Sequence, residues 1–574
     1  MMTVNKKEVV KLLEKIAIYL ELKGENPFKI TAYRKAAGAL EEDDRSLTEI
    51  DDFTKMKGIG KGTASVIEEF VEHGVSETLR QLEAEVPAGL VPLLNLPGLG
   101  GKKLAKLYQQ LGVTDAETLK EALETGKVEE LEGFGKKSAE KMLKSLEEAG
   151  TRPERLPIAI MLPLAQKIEE YLSGLSSIKR YSQAGSVRRM KETIKDLDFI
   201  IASNDPPAVR DQLLQYSDIK EVVASGETKV SLIVNEGYDI GIDFRIVAPE
   251  EFITTLHHFT GSKDHNVTMR QLAKERNEKI SEYGIENTET GEIKTFKTEK
   301  DFFQHFGLNY IPPEVRENTG EVEAFKEEVN LLELKDIRGD LHMHSTWSDG
   351  AQSIREMAFR SQDKGYGYIA ITDHSKFLRV ANGLDEKRLR KQREEIDKLN
   401  DEFKDFHIFA GIEMDILPDG SLDFSDDFLQ EMDWVIGSIH SSFTQSKEKI
   451  MKRLFNALEN PYVHMIAHPT GRLIGRRDGY ALDIEKLIQG AKETGTVLEL
   501  NANPNRLDLS SEWVRKAQEA GVEIAINTDA HSYPMLEHME IGVGSARKGW
   551  LKKESVINTL TAEQLKKRLG IKRT

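Results

Sequence analysis

The chain has 574 residues, 39% hydrophobic and 31% charged, with a formal net charge of −17 and no cysteine. This is too long for one hydrophobic core and implies three or four domains, and it lacks the run of about 18 apolar residues that crossing a bilayer needs. Without cysteine, disulfides, thiolate nucleophiles and thiolate-bound zinc are excluded, so any metal site must be built from His, Asp and Glu. The acidic balance argues weakly against a polyanion partner, but a whole-chain sum does not describe local patches. Charges recur at helical spacing through the N-terminal segment, which has no apolar signal core; a cytoplasmic protein without a membrane anchor is expected.

The first 150 residues read as helical. A Gly-apolar-Gly turn leading into an amphipathic helix occurs three times, in MKGIGKGTASVIEEF at 56–70, LPGLGGKKLAKLYQQLG at 96–112 and LEGFGKKSAEKML at 131–143. Glycine permits the tight backbone, and the exposed N–H groups of the following helix face an anion. A single such turn is usually only a turn. Three in the same setting, each followed by lysine, point to phosphate contact by Gly58, Gly60 and Lys61, by Gly98, Gly100 and Lys102, and by Gly133, Gly135 and Lys136.

These segments resemble helix-hairpin-helix motifs, which hold DNA by its backbone without reading sequence. The stretch NPFKITAYRKAAGAL at 26–40 resembles the small N-terminal domain of the DNA polymerase beta family. That family's sugar-phosphate lyase uses a lysine in the helix after the first hairpin. Val66 stands there and cannot form an imine, so little lyase activity is expected unless another lysine such as Lys35 substitutes. The expected divisions are an N-terminal helical DNA-binding domain over 1–85 and fingers over 86–150.

Further on come RYSQAGSVRRMKETIKDLDFI at 180–200 and YDIGIDFRIV at 238–247. Alternate strand residues share a face, so Asp196 and Asp198 point together, and Asp243 lies in an apolar run able to pair alongside. Three converging carboxylates repel unless cations neutralise them; an isolated pair of this kind is more often solvated. Here Gly185-Ser186, followed ten residues later by Asp196-x-Asp198, resembles the signature of polymerase beta-like nucleotidyltransferases. HHFTGSKDHNVTMR at 257–270 resembles that family's segment around the incoming nucleotide.

The resemblance implies that Asp196, Asp198 and Asp243 bind two Mg²⁺ ions and are the catalytic residues. It implies that Gly185, Ser186 and Arg189 hold the triphosphate, that Phe259 and Gly261 contact the sugar, and that Asn266 and Arg270 probe the nascent pair. A palm over 151–247 and a thumb over 248–315 are expected. His258 replaces a tyrosine of close relatives, which leaves ribose discrimination open, and Met190 and Lys195 replace small residues near the phosphate signature.

After Pro312-Pro313 an acidic stretch reads as a helical linker over 316–335. Seven short apolar runs then end in polar residues: DLHMHS, YIAITDHS, IFAGIEMD, DWVIGSIHSS, HMIAHPTG, VLELNANP and EIAINTDAHS. Strands alternating with helices predict parallel βα units closing into a barrel over 336–574, with reactive groups at the C-terminal strand ends. Six of the chain's 14 histidines lie there: His342, His344, His374, His440, His468 and His531. With Asp349, Glu413 and Asp529 they make nine potential ligands, enough for two or three Mn²⁺ or Zn²⁺ ions. His407, His464 and His538 read as structural. Arg379, Arg472 and Arg506 lie in loops able to reach the same mouth.

This half resembles the PHP (polymerase and histidinol phosphatase) family of metal-dependent phosphoesterases. The expected fold is therefore multidomain α and α/β: helix-hairpin-helix region, nucleotidyltransferase palm with thumb, and a PHP (β/α)7 barrel. The whole resembles a bacterial family X DNA polymerase, implying a monomeric repair enzyme in base excision repair. It would use dNTPs on gapped or primer-template DNA, with 3′-5′ exonuclease and abasic-site (AP) endonuclease activity. A small-molecule phosphatase of histidinol-phosphate type and a non-catalytic DNA scaffold are the alternatives.

Overall fold

A computed structural model describes residues 4, 6–42, 47, 50, 52–87, 89–93, 99–131, 133–136, 138–140, 142–143 and 155–571. The front is helical, with α1 (Lys6–Lys23), α2 (Pro27–Glu42), α3 (Lys61–His73) and α4 (Gly101–Leu111). Val9, Leu13, Ile16 and Leu20 of α1 recur every three or four residues and form one buried stripe against Ala36, Leu40, Ile67 and Leu104. Helices α3 and α4 both stop at a glycine in the left-handed region, Gly74 and Gly112, where a side chain would be strained.

The middle is a five-stranded sheet of β1 (Arg180–Gln183), β2 (Leu197–Ala202), β3 (Ile219–Ser225), β4 (Lys229–Asn235) and β5 (Asp239–Val247), packed on α5 (Ile158–Ser173). Its spatial order is β1-β2-β5-β4-β3, and only β2 and β5 run parallel. Strand β5 shows why the carboxylates face outward. Ile240, Ile242, Phe244 and Ile246 are buried, while Asp239, Gly241, Asp243 and Arg245 alternate with them on the other face.

Helices α6 (Phe252–Thr260) and α7 (Lys263–Lys274) follow, over a core containing Phe302, Phe303 and Phe306. Glu299 ties this unit to the sheet by pairing with Arg188 at 2.6 Å and Arg316 at 2.8 Å. Burial opposes its charge, yet the two guanidiniums hold its carboxyl well below the usual range.

The expected linker departs from its sequence reading. It has one short helix, Glu321–Ala324, and packs closely. Glu321 is fully buried and meets His265 at 2.7 Å, and the Leu332 N–H donates to the Leu551 carbonyl at 2.9 Å. Of its acids, Glu317 pairs with Lys548 of the barrel and Glu321 with His265 of the thumb, while Glu323, Glu327, Glu328 and Glu333 are exposed.

The rear barrel has seven parallel strands in sequential order: β6 (Gly339–Met343), β7 (Tyr368–Ile371), β8 (His407–Asp415), β9 (Trp434–Ser438), β10 (Met465–Ile466), β11 (Val497–Asn501) and β12 (Ile524–Asn527). Nearly every strand residue is buried, as expected of a parallel sheet covered on both faces. A bridge between Met343 and Ala530, with the His344 N–H donating to the Ala530 carbonyl at 2.9 Å, brings the first and last strand ends together. Helix α8 (His538–Lys548) runs from the barrel towards the five-stranded sheet. No described helix is long and apolar enough to cross a membrane.

Two candidate active sites and a candidate DNA interface

Asp198 and Asp243 stand directly opposite each other where β2 and β5 pair. Asp196 precedes β2, and two glycines leave room for the acids. A Cβ on Gly185, whose φ is +61°, would lie 2.1 Å from Asp198 Oδ2, and one on Gly241 would lie 2.6 Å from Asp196 Oδ1. Burial pushes the Asp198 carboxyl up to about 6, and the charges of Asp243 and Asp196 add to the shift. Crowded carboxylates of this kind fit divalent cations. Asp243 is fixed from the next strand by the Ser231 hydroxyl at 2.5 Å and by Lys229 at 3.0 Å.

The turn Gly185–Arg188 abuts this triad. Ser186 is half-buried and its carbonyl accepts the Lys191 N–H at 3.0 Å. Arg189 donates to the Thr260 carbonyl and, through Nε, to Glu317 at 3.1 Å, so it meets the Thr260-Gly261 corner. A Cβ on Gly261 would come within 3.2 Å of the Arg189 guanidinium. The Phe259 ring lies 4.8 Å from Arg245, two residues beyond Asp243. Asn266 donates to the His258 carbonyl at 2.7 Å, and Arg270 is exposed one turn further along α7. Lys195 is exposed.

At the barrel mouth all nine expected ligands converge. Three groups each hold donor atoms within 4.8 Å of one another: His344, Asp349, His374 and His531; His342, His344 and Asp529; and His374, Glu413 and His440. His468 joins through Nε2, 3.0 Å from Glu413 Oε1. His344 and His374 each belong to two groups, so three adjoining positions share ligands. His342 Nε2 is buried without a hydrogen-bond partner, 3.4 Å from both Glu413 and Asp529. Leaving such an atom unmatched costs about 1–3 kcal/mol, which a bound cation offsets. An imidazole and carboxylate set without sulfur fits divalent first-row ions.

Behind these ligands lies a layer of buried acids. Glu499 Oε1 sits 2.8 Å from His342 Nδ1, which turns the other ring nitrogen to the mouth. Asp373 accepts from Ser345, Ser348 and Gln392 and shapes the loop that carries Asp349.

At the front, Gly60 and Gly100 begin α3 and α4, with open space where a side chain would stand. Gly58 and Gly133 take left-handed backbone, at φ +106° and +90°. Lys61, Lys102 and Lys136 are exposed beside these turns, as is Gly135; Gly98 lies outside the described residues. Val66 is buried in the helical core, while Lys35 is exposed on α2.

Comparison with known proteins follows the same division. A helix-hairpin-helix domain matches residues 4–76, a SAM-like helix-hairpin-helix tandem 91–148, a DNA polymerase beta thumb 255–317 and a PHP domain 340–503. The DNA polymerase/3′-5′ exonuclease PolX of Bacillus subtilis is 61% identical over 554 residues, covering 96% of this chain and 97% of that protein. The chain belongs to the family X DNA polymerases that carry a PHP domain. Probable phosphatases of a Thermoanaerobacter species and of Acetivibrio thermocellus are 30% identical over 234 and 201 residues, 38% and 33% of this chain and 89% and 78% of theirs. They match a single-domain length, as a module shared with a family X polymerase should. The polymerase and PHP domains together call for divalent metal ions, and the hairpins and thumb for DNA.

Within this family X chain, the three loop arginines fare differently from one another. Arg472 is taken by Glu192 of the palm, at 2.7 and 3.0 Å, and faces the domain junction. Arg506 does reach the mouth, 3.8 Å from Asp529. Arg379 opens a short 3-10 turn after the third ligand histidine. Arg477, which sequence reading passed over, lies 4.1 Å from the Phe443 ring and close enough to Arg506 for that charge to lower its basicity, after burial. His464 accepts the Val435 N–H at 3.0 Å and stacks on Trp434, a structural role.

If the three hairpins grip phosphates, replacing Lys61, Lys102 and Lys136 with alanine should weaken binding of a gapped duplex. The slope of log affinity against log salt should flatten by about 0.9 for each phosphate that is no longer neutralised. Titrations at several salt concentrations check this; an unchanged slope places the grip elsewhere.

Proposed function

We propose that this chain is a monomeric cytoplasmic DNA polymerase that fills short gaps in DNA repair from dNTPs, and that its barrel degrades DNA from the 3′ end and cleaves at abasic sites. One observation carries the reading: a carboxylate triad beside a basic turn and a nine-ligand mouth occur in one chain behind DNA-holding hairpins. The name of the Bacillus subtilis relative pairs the corresponding two activities, DNA polymerase and 3′-5′ exonuclease.

In the palm, Asp196, Asp198 and Asp243 would hold two Mg²⁺ ions. Divalent ions supply charge neutralisation for in-line phosphoryl transfer. The chain positions the reactants: Ser186 and Arg189 orient the triphosphate, Phe259 and Gly261 the sugar, and Ser231 holds Asp243 in place. In the barrel the ligands would hold two or three Mn²⁺ or Zn²⁺ ions, and Arg506 and Arg477 would bind the substrate phosphate. The resemblance to probable phosphatases favours phosphoester hydrolysis in general; the attached hairpins make a DNA strand the substrate. With valine buried at position 66, lyase activity stays low.

Chelation provides the test. Enzyme dialysed against excess chelator should neither extend nor shorten a 5′-labelled primer on a gapped duplex. Mg²⁺ with dNTPs should restore extension, and Mn²⁺ or Zn²⁺ without dNTPs should restore shortening. Extension that persists in chelator would contradict the proposed palm chemistry.

A further inference from the structure

The palm segment just after the phosphate turn rests on the barrel, and it does so through residues that the two active sites leave unexplained. Met190 has left-handed backbone, at φ +52°. Its side chain lies on Gly544 of α8, where an added Cβ would stand 2.9 Å from both Met190 Cγ and Cε. Two residues on, Glu192 holds Arg472 of the barrel. The barrel also delivers Lys548, which is largely buried and whose Nζ, among the described residues, donates to palm and thumb atoms. These are Glu317 Oε1 at 2.7 Å, the Arg189 carbonyl at 3.3 Å and the Glu314 carbonyl at 3.4 Å.

Glu317 Oε1 is also the oxygen that Arg189 Nε contacts, and Lys191 reaches Oε2 at 3.1 Å. Three cations from two domains therefore share one carboxylate. Without Lys548, the cluster has one positive charge fewer, and the Glu317 carboxylate draws Arg189 harder towards itself. Both effects weaken attraction for a polyanion placed against Arg189.

We propose that the barrel completes the polymerase's nucleotide site, with Lys548 as a positioning residue that holds Arg189 and supplies fixed positive charge for the dNTP triphosphate. The inference deepens the proposed function and rests on its reading of Arg189 as a triphosphate ligand. Met190, a departure from the small residue of relatives, then acts as the peg that seats this turn on α8.

The test uses the full-length enzyme with Mg²⁺, measuring kcat and KM for dNTP on a gapped duplex, beside 3′-end degradation and Tm. Lys548→Met should raise the dNTP KM about tenfold, the size expected for losing one partly screened charge nearby, with kcat within about twofold. Degradation should be unchanged, and Lys548→Arg should keep most of the affinity. An unchanged KM, or equal loss of both activities with a lowered Tm, overturns the proposal. If the methionine variant does not fold, Lys548→Gln, which keeps a donor without the charge, is read by the same criteria. Arg189→Ala separates the two layers. If it leaves KM unchanged, the reading of Arg189 fails; if it raises KM while Lys548→Met does not, only the role of Lys548 fails.

Discussion

Asp198→Asn should lower primer extension by about 10²–10³-fold, the loss typical of deleting one preorganised charge from a transition state, while 3′-end degradation continues. Asp198 faces Asp243 across the only parallel pair of the palm sheet, and Asp196 crowds the same spot. Asparagine keeps the shape and the room that Gly185 provides but cannot neutralise a cation. Extension is measured on a gapped duplex with Mg²⁺, and undiminished extension would sink the assignment of the triad. The substitution also removes one of three like charges. In chelator the variant should therefore melt no lower than the parent, which separates lost chemistry from lost folding.

The sequence showed some parts of these sites and hid others for physical reasons. Period-two alternation in YDIGIDFRIV was enough to put Asp243 on the polar face, and the structure pairs it with Asp198. The barrel strands were legible because each apolar run ends in ligand-type residues, and parallel order then gathers those ends at one mouth. Ser231 and Lys229 were not legible, because only the antiparallel pairing of β4 with β5 brings them to Asp243. Glu499 left a trace, as the sole acid inside VLELN, where a carboxylate buried among apolar neighbours calls for a partner. Arg472 misled because its loop does end near the mouth, but Glu192, 280 residues earlier in the chain, captures it. Long-range ion pairs leave no local pattern, which is also why the acidic stretch after Pro313 read as a linker.

Glu413→Gln should abolish 3′-end degradation and leave extension on a gapped duplex intact. Glu413 is the hub of the mouth: Oε1 lies 3.0 Å from His468 and 3.2 Å from His440, and Oε2 lies 2.9 Å from His374 and 3.4 Å from His342. A neutral amide offers one weaker acceptor in place of two shared anionic oxygens. His342→Ala should act in the same direction, since it removes a ring whose Nε2 stands 3.4 Å from both Glu413 and Asp529 at the mouth. Glu499→Gln gives a graded comparison, because Glu499 touches the ligand His342 from behind. Loss of that support should cost about 10–100-fold in metal affinity or activity, and added Mn²⁺ should recover part of it. The order Glu413 far worse than Glu499, read from decay of a labelled 3′ end across Mn²⁺ concentrations, is the signature of ions held at the mouth. If degradation survives both Glu413→Gln and His342→Ala, the nuclease lies outside the barrel.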